Sequence, residues 1–180
     1  SVREMEAMTV GFDESMEMDV ISQGPQFIDY MVRALDGYGI PVITPGGGLG
    51  AHLDASQFVS HIPQTEYPAG ALVCAIYICG GIRGMERGPL SEERNADGSE
   101  RLASMELVRL AMPRRVFTLS QTEYAIDRVK WVYDHRDMIG GLRFLHEPKT
   151  LRFFTGKLEP VSDWPEKLAD AYAKEFGEDQ

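Results

Sequence analysis

Two segments decide how this chain is read: Ile82-Arg83-Gly84-Met85-Glu86-Arg87-Gly88 and Met105-Glu106-Leu107-Val108-Arg109-Leu110-Ala111-Met112-Pro113-Arg114-Arg115. In the second, Leu107, Arg109 and Ala111 fall on one strand face and Val108, Leu110 and Met112 on the other, because successive side chains of a strand point to opposite sides. Arg109 is thereby boxed in by apolar residues. Its guanidinium presents five donors in a rigid fork that fits a carboxylate through two hydrogen bonds, and it cannot shed its charge. The matching anion is either an internal acid or a ligand. The residues alone leave both open, since a half-buried cation needs a counter-charge in any domain. Residues 89–104 form a polar connection with Asn95-Ala96-Asp97-Gly98 at its tip. Residues 82–88 and 106–112 are therefore expected to pair as antiparallel neighbours, which brings Arg87 and Arg109 to one region of the sheet with the register still open.

Composition sets the outer bounds. The 180 residues are 43% hydrophobic, enough to bury a sizeable core. Eighteen Lys and Arg against 28 Asp and Glu give a net charge of −10 with no long basic run, which argues against a nucleic-acid partner. The most apolar stretch, residues 69–78, is too short to span a bilayer, and the N-terminus lacks the pattern of a secretory leader. A cytoplasmic protein with no membrane partner is expected. Cys74 and Cys79 sit five apart on one expected helix and point in different directions, so two buried free thiols are expected. The spacing of His52, His61, His135 and His146 suggests no metal site.

Taken in order, residues 3–17 read as an amphipathic helix with Met5, Met8, Phe12 and Met16 on one stripe, a face that something outside this sequence should cover. A second helical pattern covers residues 18–38, with Phe27, Met31, Ala34, Leu35 and Tyr38 inward and an interruption at Gly24-Pro25. Residues 41–44 and 49–53 are short strands around the turn Pro45-Gly46-Gly47-Gly48. A core helix starts within residues 65–68, carries Ala69, Leu72, Val73, Ile76 and Cys79, and stops at Gly80-Gly81. Ser120 and Glu123 form a capping box for a helix running to Met138. Residues 142–147 and 151–158 are strand candidates. On the second, Phe153 and Phe154 face opposite sides, so either both are structural or one looks into a cleft. Cap residues Ser162 or Asp163 open a last helix with Trp164, Leu168, Tyr172 and Phe176 spaced by fours. The class is α/β, with helices on one side of a mainly antiparallel sheet. No nucleophile stands beside a base, so these patterns alone name no reaction.

Several motifs in one order do point further. Met85-Glu86-Arg87-Gly88, the run from Glu106 through Thr118, and Glu147-Pro148-Lys149-Thr150-Leu151-Arg152-Phe153-Phe154-Thr155 resemble the C-terminal part of the tryptophanase and tyrosine phenol-lyase family; Arg3-Glu4-Met5-Glu6-Ala7-Met8 and Leu53-Asp54-Ala55 fit the same register. The similarity covers about residues 2–160. It implies the small domain of an aminotransferase-type (fold type I) pyridoxal-phosphate enzyme: residues 1–38 as interdomain helices, 39–160 as the small domain and 161–180 as an extension helix. It further implies that Arg109 grips a substrate α-carboxylate. Arg87 would contact a phenol oxygen as a catalytic donor, the feature that places the chain nearer tyrosine phenol-lyase, since the tryptophanase branch carries an aliphatic residue there. Met85, Phe153 and Phe154 would line the aromatic-ring pocket, with Phe153 the better placed to press on the ring.

The implied reaction is β-elimination from an aromatic amino acid, giving phenol, pyruvate and ammonia with pyridoxal phosphate as electron sink. Two departures stand out. The family has a His after the paired glycines where this chain has Leu49, with His52 at a different strand position. The cofactor-binding lysine lies upstream in the family, and none of Lys130, Lys149, Lys157, Lys167 or Lys174 matches it. No cofactor-binding residue is therefore expected in this chain. The resemblance implies one part of a two-chain lyase, whose larger partner carries the lysine within a dimer or tetramer of the complete unit, or a fragment of such an enzyme. The alternatives are a non-catalytic amino-acid-binding or regulatory module and a decayed remnant with no ligand.

Overall fold

Strand β3 (Leu107–Ala111) is the middle of a three-stranded antiparallel sheet, with β1 (Gly50–Asp54) on one side and β2 (Met85–Arg87) on the other. The computed structural model describes residues 1–113 and 115–177; Arg114 of the quoted motif and residues 178–180 of the extension lie outside them. The expected pairing of the two central segments is present, with Met85 opposite Arg109 and Arg87 opposite Leu107. Helices α1 (Val2–Glu14), α2 (Met18–Ile21) and α3 (Gln23–Gly37) precede the sheet, and α4 (Ala55–Phe58) and α5 (Pro68–Gly80) connect β1 to β2. After β3 come α6 (Leu119–Asp134), β4 (Leu142–His146), α7 (Arg152–Thr155), β5 (Lys157–Pro160) and α8 (Trp164–Phe176). A second antiparallel sheet is formed by β4 and β5.

The sheet buries one face because its sequence alternates. Ala51 and Leu53 on β1 and Val108 and Leu110 on β3 are buried, and they share a core with Ile28, Met31, Val32 and Leu35 of α3 and Leu72, Ala75, Ile76 and Cys79 of α5. Each of the Leu, Ile, Val and Met side chains among them contributes roughly 1.5–3 kcal/mol on leaving water. Helix α5 packs against α6, α8, β2 and β3. It opens with Pro68 at its first position, where the missing N–H costs nothing, and closes at Gly81, whose φ of 62° suits a residue without Cβ.

Several expectations need correction. Residues 41–44 do not form a strand; only Val42 bridges to Leu53, because the following Pro45-Gly46-Gly47-Gly48 turns the chain away. The break in the second helical pattern lies at Ser22, and Pro25 sits within the first turn of α3, where a helix tolerates it. Tyr38 is 52% exposed at the helix end. The cap of α6 is Thr118 with Gln121, not Ser120 with Glu123; Glu123 instead accepts from the Tyr30 hydroxyl at 3.0 Å. Cys74 is exposed while Cys79 is buried, since they lie on different faces of α5. Helix α8 uses its stripe internally: Trp164 and Leu168 are buried, and Trp164 Nε1 donates to the Gly141 carbonyl at 3.2 Å. In α1, by contrast, no residue is buried, and Met5, Met8, Phe12 and Met16 are exposed. Among the described residues no helix is long and apolar enough to cross a membrane.

Candidate functional site

The unburied face of the three-stranded sheet is where the candidate residues meet. Register places His52, Arg109 and Met85 in one row across β1, β3 and β2, and Asp54, Leu107 and Arg87 in the next. Directly opposed residues share a face, so Arg87 and Arg109 stand on the same side as diagonal neighbours. The helices α3 and α5 pack on the other.

Arg109 is half-buried and lacks an acid. Its Nη2 donates to Met85 Sδ at 3.2 Å, a weak acceptor, and its Nε is buried with no partner. Among the described residues no carboxylate lies within ion-pair distance of Arg109 or of the exposed Arg87. Of the two anions the sequence left open, the internal one is not found among the described residues. His52 registers both cations: burial first, then the charge of Arg109, and more weakly that of Arg87, push its pKa down, against a smaller upward pull from the Gly50 backbone.

Phe153 and Phe154 reach the same region by a different route from the expected strand. Residues 152–155 are helix α7, a single turn that follows Leu151 at φ 56°. The two rings meet edge-on at 5.0 Å; Phe153 packs against the core and Phe154 is 73% exposed. A turn, not a strand, forms because Arg152 is pulled inward. Its side chain is 2% exposed, pairs with Glu100, and donates to Glu147 Oε1 at 2.8 Å, to the Glu92 carbonyl at 2.8 Å and to the Pro89 carbonyl at 2.6 Å. Burial opposes this charge, but Glu100 and Glu147 outweigh it and hold the guanidinium more firmly protonated. Met85, Arg87, Phe153 and Phe154 then line one open cleft of about 160 Å³. Arg109 does not line it but touches Met85, which does.

Sequence reasoning missed two groups. One is Arg152 itself, whose signal was the Glu147 five residues earlier. The other is a pair of buried carboxylates under the β2–β3 edge, Glu86 and Glu106. Glu106 is 2% exposed with both oxygens unpartnered, and burial, followed by the charge of Glu86, pushes its pKa up to about 7. Glu86 is also raised by burial, partly offset by the Ser91 hydroxyl donating at 2.9 Å. Gly88 is required beside them, because a Cβ there would collide with both carboxylates. No motif marks such a pair; each Glu reads as a solvated strand-end residue.

The arrangement can bind an anion at Arg109 and offer a second cation, Arg87, in a cleft lined by Met85, Phe153 and Phe154 together with the polar Ser91 and Glu93. No family model matches the chain. Curated relatives do. Tyrosine phenol-lyase of Pasteurella multocida (strain Pm70) is 42% identical over 159 residues, 88% of this chain and 35% of that protein. Tyrosine phenol-lyase of Symbiobacterium thermophilum (strain DSM 24528 / JCM 14929 / IAM 14863 / T) is 43% identical over 161 residues, 89% of this chain and 35% of that protein. Tryptophanase of Hyphomonas neptunium (strain ATCC 15444) is 40% identical over 157 residues, 87% and 35% respectively. The chain spans about a third of the length of the curated relatives it matches.

Proposed function

Because the chain is homologous to tyrosine phenol-lyase and tryptophanase over most of its length, we propose that it supplies the substrate-recognising part of a pyridoxal-phosphate-dependent β-eliminating lyase acting on tyrosine or a related aromatic amino acid. The observation that carries this is Arg109: a half-buried fork with no acid of its own, on the same sheet face as a second cation and an aromatic-lined cleft. Arg109 binds the α-carboxylate. Arg87 stands toward the ring end, where a cationic donor at the phenol oxygen stabilises charge as the ring leaves. Met85, Phe153 and Phe154 hold the ring. The products are phenol, pyruvate and ammonia.

Bound pyridoxal phosphate supplies the electron sink of such chemistry. Among the described residues the three strands carry no lysine and none lines the cleft, so this face offers no amine for that cofactor. A larger chain bearing that lysine completes the unit in this reading, as a cytoplasmic dimer or tetramer of the whole, and the exposed apolar residues of α1 offer it a surface. The division into residues 1–38, 39–160 and 161–180, and the fold type I assignment, belong to the same proposal. A second reading is a non-catalytic module that keeps an amino-acid carboxylate site at Arg109. Purification from the native source separates the two. A larger co-purifying chain that absorbs near the edge of the visible and releases phenol from tyrosine supports the lyase; a colourless monomer that binds tyrosine supports the module.

A further inference from the structure

Arg109 has a polar neighbour that the proposed roles leave unused. His52 faces it directly across β1 and β3, on the open side of the sheet, with Met85 in the same row on β2. Opposed residues in an antiparallel pair have Cβ atoms about 4.5–5.5 Å apart, so an imidazole there reaches the space in front of the guanidinium. Resting on the reading of Arg109 above, we propose that His52 is a positioning and specificity-determining residue: its ring N–H and the Arg109 fork together receive one substrate carboxylate.

The donor accounting favours this. A carboxylate has about four lone-pair sites, of which a guanidinium fork satisfies two. The polar side chains on this face of β1 are His52 and Asp54, and Asp54 is a carboxylate already held by Ser56 and Gln57. It would repel a second one. The charged groups facing His52 are thus Arg109 on β3, Arg87 on β2 and Asp54 on its own strand; the segment along the outer edge of β1, residues 40–49, has no titratable side chain. In the free site burial and the two arginines push the ring's pKa down. A bound carboxylate offsets their charge, so the ring takes up a proton more readily in the complex. The added affinity is fully present below the free titration point and fades as pH rises through the bound one.

Two measurements test this separately from the lyase reading. In the 180-residue chain, NMR titration of the His52 ring should move to higher pH with saturating L-phenylalanine, and should also move up in Arg109→Met without ligand. If Arg109→Met leaves it in place, the two side chains are not coupled and the proposal falls; if only the amino acid fails to move it, no carboxylate is shared and the proposal also falls. In the assembled lyase, His52→Phe should raise KM about tenfold, the value of one charge-assisted hydrogen bond, with kcat nearly unchanged and the pH dependence of kcat/KM flattened. His52→Gln, which keeps an N–H donor, should restore KM but not the pH dependence. An active His52→Phe enzyme with unaltered KM and pH profile overturns the role of His52 and leaves the proposed function intact. A wild-type assembly without lyase activity defeats the proposed function instead, and the titration of the chain alone then decides the pairing of His52 with Arg109.

Discussion

Arg152 and Arg109 differ in whether the fold itself satisfies their charge. Arg152 is the more buried, yet its donors go to Glu100, Glu147 and two carbonyls. Arg109 is the less buried, yet it has only a sulfur and a buried, unpartnered Nε. Burial depth therefore does not mark the functional residue. On the proposed reading, unmet hydrogen-bonding capacity does, because leaving a half-buried charge unpaired costs stability that a bound anion would recover.

The sharpest way to break this contrast is to remove Arg152. Arg152→Ala leaves Glu100 and Glu147 with only the more exposed Arg94 as partner, strands the Pro89 and Glu92 carbonyls and frees α7, so unfolding by denaturant should show a loss of about 3–5 kcal/mol. A loss below about 1 kcal/mol would mean that Arg152 is no more structural than Arg109. Arg109→Ala should do the reverse. Stability should hold within about 1 kcal/mol, while kcat/KM of the assembled lyase should fall by an amount equivalent to about 2–5 kcal/mol of carboxylate recognition. Next comes Arg87→Ile, which should cost about 3 kcal/mol in phenol elimination and much less in elimination from an S-alkyl cysteine, a substrate with a good leaving group. Equal losses for both substrates would make Arg87 structural.

The smallest expected effect concerns Glu86 and Glu106, acids buried without any cation. The folded-state pKa of Glu106 is raised to about 7 from an ordinary 4.5, so the native state holds the extra proton between those values. Stability should fall as pH rises through that window and level off above it. Glu106→Gln should then be more stable than wild type by about 2 kcal/mol at pH 8 and no more stable at pH 5, as read from urea midpoints at the two pH values. A gain of equal size at both would show that Glu106 is not protonated in the fold.

Much of the site was legible in the sequence. The alternation around Arg109 located its face, the polar 89–104 connection gave the antiparallel partner of β3, and the ordered motifs gave the relatives. The route by which Phe153 and Phe154 reach the cleft was not, because strand and single-turn helix compete on similar local terms at residues 151–155. The inward pull of Arg152 toward Glu100, 52 residues away, settles that contest.

By itself the sequence determined what periodicity and local stereochemistry can carry: the core stripes of α3, α5 and α6, the helix stop at Gly81 and the central strand pairing. Which arginine is paired, which is left open, that His52 stands opposite Arg109, and that two glutamates are buried side by side were decided only by tertiary structure. A one-residue change of register would move Arg109 to the core face, and ion pairs form between groups distant in the chain, so no local pattern encodes either.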